Sequence, residues 1–127
     1  MALRSYCEDF AQRENIAVEL AIRDVPKELK REIAACLYKV TQESLHNVSK
    51  HAGAKSVFVT VAGAAGRIVL SVRDTGVGFR APSSGTNVGL GLLSMQERVG
   101  LLHGTFGIAS QPGQGTEVTA EIPLEAH

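Results

Sequence analysis

Arg67-Ile68-Val69-Leu70-Ser71-Val72-Arg73-Asp74-Thr75-Gly76-Val77-Gly78 is the stretch that decides the fold. Ile68, Leu70 and Val72 fall on one face, the period of a half-buried strand. That strand delivers Asp74 to the rim of a sheet, where a D-x-G-x-G turn follows. Gly76 and Gly78 carry no side chain, so a flat ligand can come close to the main chain there. An ionised carboxylate only accepts hydrogen bonds, which suits an exocyclic amine such as that of adenine. An Asp-Gly turn joining two elements is the plainer reading of these residues taken alone. The rest of the chain decides between the two.

Upstream, Ser56 to Ala62 alternates through Val57, Val59 and Val61, and Gly63-Ala64-Ala65-Gly66 turns the chain back. Before that, Pro26 fits the first turn of a long helix running to about His51. Its apolar stripe is Leu29, Ile33, Cys36, Leu37, Val40, Ser44 and Val48, and Gly53 ends it. Ile16, Val18, Leu20 and Ile22 predict a first strand. Leu3 to Glu14 reads as a helix whose polarity suggests the stub of something longer, so residues 1–14 are set apart from a domain spanning 15–127. Downstream, Arg80 to Val88 is polar, with Pro82, Ser83, Ser84, Gly85 and Asn87, and is expected to be a mobile loop. Gly89-Leu90-Gly91 opens a second helix with Leu92, Met95, Val99 and Leu102 on one face and Gly104 as its stop. Thr105 to Ser110 and Thr116 to Ile122 are further strands, joined by Gln111 to Gly115 as a hairpin loop. This order predicts an α+β fold: a two-layer sandwich, its mixed and mostly antiparallel sheet covered by helices on one face.

Composition narrows the function. The chain has 127 residues, enough for one domain with a core of its own. Lys plus Arg and Asp plus Glu both number 13, so no basic face is expected to hold nucleic acid or an anionic membrane. No apolar run is long enough to span a bilayer, and the N-terminus lacks a signal-peptide pattern, so a cytoplasmic domain is expected. Cys7 and Cys36 are not spaced as a C-x-x-C pair and read as reduced thiols. With no Trp, two Tyr and four Phe, aromatic stacking on bases is not expected. There is no G-K-[ST] phosphate loop, no Ser/His/Asp arrangement and no His/Cys cluster suited to zinc.

The long helix holds an anomaly. Cys36, Val40, Glu43, Asn47 and Lys50 lie close to one row, because steps of three and four return to the same face. The row begins apolar and should bury, yet it continues with a carboxylate, an amide and an amine. Burying such groups unpaired costs on the order of a few kcal/mol each. Either the helix end lifts clear of the core or it lines a polar cavity. Gly89-Leu90-Gly91-Leu92, for its part, stands at a helix N-terminus, where free N–H groups and the dipole favour phosphates. It is no dinucleotide fingerprint, since Ser94 occupies the place of the third glycine.

Together these segments resemble one family. Glu43-Ser44-Leu45-His46-Asn47-Val48-Ser49-Lys50-His51 looks like the N-box of bacterial sensor histidine kinases. Asp74-Thr75-Gly76-Val77-Gly78-Phe79 looks like their first glycine box, Gly89-Leu90-Gly91-Leu92 like the second, and Gly113-Gln114-Gly115-Thr116 like the terminal G-x-G-T. The run Met95-Gln96-Glu97-Arg98-Val99 is most similar to the group paired with nitrate-regulator-type response regulators. The resemblance covers roughly residues 15 to 124 in the family's order.

The resemblance implies an ATP-binding catalytic domain of the Bergerat type, shared with gyrase, the Hsp90 chaperones and MutL. Asp74 would accept from the adenine amino group, with Gly76 and Gly78 shaping that pocket and Thr116 supporting it. Asn47 would hold Mg²⁺, with Glu43 as a second candidate ligand. Glu43 also falls where related enzymes orient or deprotonate the attacking group. Lys50 and His51 would lie near the phosphates, and Gly89, Leu90, Gly91 and Leu92 would close over them. The partners implied are a phosphoacceptor dimerisation domain of the same kinase, for which residues 1–14 would be the linker stub, and a response regulator downstream.

Two departures stand out. The stretch from Arg80 to Val88 lacks the phenylalanine box of many relatives, and His46, His51, His103 and His127 all lack the context of a phosphoacceptor. Two other readings stay open at this point: a serine protein kinase of the anti-sigma type on the same fold, and a regulatory module that binds nucleotide without catalysis.

Overall fold

In the computed structural model, which describes residues 3–76, 91–111 and 113–124, the alternating stretches become strands of one five-stranded sheet. The elements run α1 (Leu3–Glu14), β1 (Ala17–Arg23), α2 (Arg31–Asn47), a π-helical turn (Val48–Ala52), β2 (Ser56–Ala64), β3 (Arg67–Asp74), α3 (Leu92–Leu101), β4 (Thr105–Ser110) and β5 (Thr116–Pro123). Spatially the strands lie in the order β1-β2-β3-β5-β4. β1 runs parallel to β2, and every other neighbouring pair is antiparallel. The expected α+β sandwich with a mixed, mostly antiparallel sheet is therefore what forms.

Register places the core. Val72 lies opposite Val59 on one side and Val118 on the other, and Leu70 opposite Val61 and Ala120. These residues, with Val57, Ile68 and Ile122, are buried. Ile33, Leu37, Val40 and Leu45 of α2 and Met95 and Val99 of α3 are buried in the same core cluster. Side chains of this kind, fully buried, each contribute about 1.5–3 kcal/mol.

α1 is part of that core. Leu3, Cys7 and Phe10 recur at helical spacing and are 0%, 3% and 2% exposed. Tyr6 stacks on Phe10 with ring centroids 6.5 Å apart and tilts against Tyr38 of α2 at 5.5 Å. The helix, Leu3–Glu14, thus packs onto the sandwich through these three side chains.

Two expected boundaries move. α2 begins at Arg31, not at Pro26: Lys30 is still extended, with φ −57° and ψ 142°. Asp24 has a left-handed backbone, φ 53°, and its carbonyl oxygen sits where a side chain on Gly63 would be. The chain is pinned to the sheet there and needs the intervening residues to climb to the helix layer. β2 in turn runs through Gly63 to Ala64, so the reversal is only Ala65-Gly66. Both have positive φ, 51° and 77°, as in the two-residue turns that match strand twist.

Candidate functional site

Asp74 ends β3, the middle strand, and is 5% exposed. Its Oδ1 accepts a hydrogen bond from the Gly76 N–H at 2.8 Å, and the Thr116 N–H also donates to it. Burial outweighs these two donors and holds the carboxyl above its ordinary range. The turn after it is tied back by Thr75, whose hydroxyl lies 3.3 Å from that of Ser56 at the start of β2.

The hairpin between β4 and β5 closes on the same carboxylate. Gly115 is left-handed at φ 80°. A side chain there would overlap the Asp74 carbonyl oxygen and bring its Cβ 3.4 Å from Oδ1. Ser110 holds this corner, with its hydroxyl 2.7 Å from Thr116 Oγ1 and donating to the Gly115 carbonyl at 3.2 Å. A cavity of about 490 Å³ opens at this end of the sheet, with Asp74, Ser110, Gln114, Gly115 and Thr116 in its wall. Gly115 and Ser110 were not among the expected site residues. Gly115 stands in the G-x-G-T pattern but reads equally as a hairpin glycine, and Ser110 carries no signal at all.

The anomalous row of α2 divides in the structure. Cys36 and Val40 are buried, Glu43 and Asn47 half-buried, and Lys50 exposed. Glu43 reaches the head of α3, where its carboxylate lies against Gly91. Next to it, the buried Ser44 hydroxyl donates to Met95 Sδ at 3.7 Å, fastening α2 to α3. Leu92 is buried at the first turn of α3. Asn47 Oδ1 is buried, and none of the described hydrogen bonds ends on it, while the residue is engaged through other contacts. Lys50 lies elsewhere: with Tyr6, Arg13 and His46 it lines a cleft of about 330 Å³ beside α1.

The structure therefore gathers Asp74, Gly76 and Thr116 at one corner and Glu43, Gly91 and Leu92 at another. Gly78, Gly89 and Leu90, the side chain of His51, and the loop expected over Arg80 to Val88 lie outside the described residues. Among the described residues no three His, Cys, Asp or Glu side chains gather as a metal cage. What α2 offers a hard cation is two oxygen donors, the Glu43 carboxylate and the Asn47 amide, one turn apart. Such a sparse set suits an ion that takes its remaining ligands from phosphates and water. Among the described residues no helix is long and apolar enough to cross a membrane.

Residues 33–126 match the profile described as histidine kinase-, DNA gyrase B-, and HSP90-like ATPase. The oxygen sensor histidine kinase NreB of Staphylococcus carnosus is 37% identical over 123 residues, which is 97% of this chain and 35% of that protein. The sensor histidine kinase MctS of Rhizobium johnstonii is 37% identical over 128 residues, 99% of this chain and 28% of that protein. The chain thus spans about a third of these relatives. Among solved structures, the histidine kinase domain of a blue-light activated kinase from Erythrobacter litoralis superposes with a TM-score of 0.78 at 22% identity, covering 96% of this chain and 59% of that one. Full-length ShkA in complex with AMPPNP gives 0.76 at 25% identity, covering 98% of this chain and 30% of that one.

Proposed function

The chain belongs to the histidine kinase-, DNA gyrase B- and HSP90-like ATPase family, and on that premise we propose that it is the catalytic domain of a cytoplasmic sensor histidine kinase. It binds Mg-ATP and presents the γ-phosphate to a histidine on a dimerisation domain, for relay to a response regulator. The observation that carries this reading is the buried Asp74 carboxylate, aimed into a cavity and braced by Gly76, Gly115 and Thr116. An acceptor with so little water around it selects a ligand that brings its own N–H, as the adenine amino group does.

In this reading Gly76, Gly78 and Thr116 frame the base, and Gly89, Leu90, Gly91 and Leu92 close over the triphosphate. Asn47, with Glu43 as a second candidate, would hold Mg²⁺, which would supply charge neutralisation for the phosphates. Glu43 orients the attacking group. α1 leads toward the acceptor domain. Transfer of this kind depends on in-line positioning and charge neutralisation more than on covalent chemistry.

Calorimetry with ATP and GTP tests the base assignment. ATP is expected to bind roughly a hundredfold more tightly, because a 6-oxo group would face the carboxylate with a like lone pair. Equal affinities would place the base elsewhere. Incubated with labelled ATP, the 127-residue chain alone is expected to take up no acid-labile phosphate on His46, His51, His103 or His127. Adding a cognate dimerisation domain should produce the label there, and near-stoichiometric label on the chain itself would refute separate domains for donor and acceptor.

The metal assignment makes a separate prediction. Asn47→Ala should weaken ATP binding by roughly tenfold in magnesium, the worth of one charge-assisted contact, and far less in chelator. An unchanged magnesium dependence would move the ion off Asn47.

A further inference from the structure

The head of α3 and the middle of the site meet at one bare carbon. Gly91 caps α3 at φ 66°, and a Cβ there would lie 2.6 Å from Glu43 Oε2 and 3.3 Å from Glu43 Cδ. The first distance is well inside van der Waals contact. Any retreat of Glu43 falls to its half-buried side chain, because its backbone belongs to a stretch of α2 in which Val40, Thr41, Ser44 and Leu45 are all buried. Thr41 and Ser44 are further held by hydrogen bonds to the Leu37 carbonyl and to Met95 Sδ. Only the side-chain torsions of Glu43 can yield. The carboxylate also sits at the N-terminal end of α3, where the helix dipole attracts negative charge.

We propose that Gly91 is a positioning residue for Glu43: the missing side chain at the head of α3 fixes where the carboxylate rests. The inference builds on the reading of Glu43 as the group that orients the attack, and adds how that group is controlled. Any rearrangement that shifts the head of α3 moves the seat and carries the carboxylate with it. Gly91 then serves α2 as much as any ligand.

A mutant cycle without nucleotide tests this. Gly91→Ala should lower the thermal midpoint by roughly 10 °C, from backbone strain plus the clash. In a Glu43→Asp background, where the side chain is one methylene shorter, the loss should be measurably smaller, leaving only the backbone's share. The carboxyl carbon resonance of Glu43 should also move in Gly91→Ala, which strain confined to the backbone of α3 would not cause. Equal losses in both backgrounds, or an unmoved resonance, would overturn the proposal. Should Gly91→Ala fail to fold, the unmodified protein decides: a nuclear Overhauser contact between Gly91 Hα and Glu43 Hγ is expected, and its absence refutes the seat. ATP binding enters none of these measurements, so a failure of the kinase reading would show separately, as an unmodified chain that does not bind ATP.

Discussion

Asp74→Asn is expected to weaken ATP binding by about one to two orders of magnitude, the worth of a hydrogen bond to a charged acceptor, while the empty domain gains stability. An asparagine keeps one oxygen for the Gly76 N–H but turns an amide donor toward the adenine amine. The stability change follows from burial. The carboxyl of Asp74 is held above its ordinary range because desolvation outweighs the Gly76 and Thr116 N–H groups. A group whose folded value is raised favours folding while protonated, and that stability is lost as pH rises through the folded value. At neutral pH the ionised Asp74 therefore opposes folding, and Asp74→Asn removes the cost. The gain should be present near about pH 7 and fade toward about pH 3, below the ordinary aspartate value, where the acid is largely neutral in folded and unfolded chain alike. ATP affinity of the unmodified protein should fall over the same acidic range. Thermal unfolding at the two pH values and calorimetric titration check both. Wild-type affinity in Asp74→Asn would remove the residue from the site.

The second large effect concerns α1. Phe10 is 2% exposed, stacked under Tyr6, with the Arg13 guanidinium 5.9 Å from its ring centroid. Phe10→Ala should cost about 3–5 kcal/mol, a large share of the roughly 5–15 kcal/mol that holds a domain folded. Urea unfolding measures it directly. A loss below about 1 kcal/mol would mean that α1 is not docked in solution.

Much of this was legible in the sequence, for identifiable reasons. The alternation of Ile68, Leu70 and Val72 determines a strand and its buried face, and the co-linear boxes point to Asp74, Asn47 and Glu43. Strand direction was less accessible: Ile16 to Ile22 alternates just as an antiparallel strand would, and nothing local encodes its parallel pairing with β2. Pro26 misled because proline permits a helix start without nucleating one, and Asp24 pinned against Gly63 delays the start to Arg31. The docking of α1 was hard to see because its polar residues outnumber its apolar ones. Three buried side chains at the right spacing, Leu3, Cys7 and Phe10, suffice to dock it. Lys50 sits in the site's row by helical arithmetic, yet the row ends in a π-helical turn, Val48–Ala52, which breaks the period just where the arithmetic was extended.

The sheet order has a consequence for synthesis. β3 stands between β2, made just before it, and β5, which among the described strands comes last in sequence. Until β5 is available, one side of β3 leaves its backbone N–H and C=O groups unpaired, an edge that invites pairing with other chains. Gly115 and Thr116 arrive with that same strand, so on the proposed reading the base pocket is complete only once this edge is covered. The same pairing of β5 with β3 thus covers the edge and brings Thr116 to the corner of Asp74.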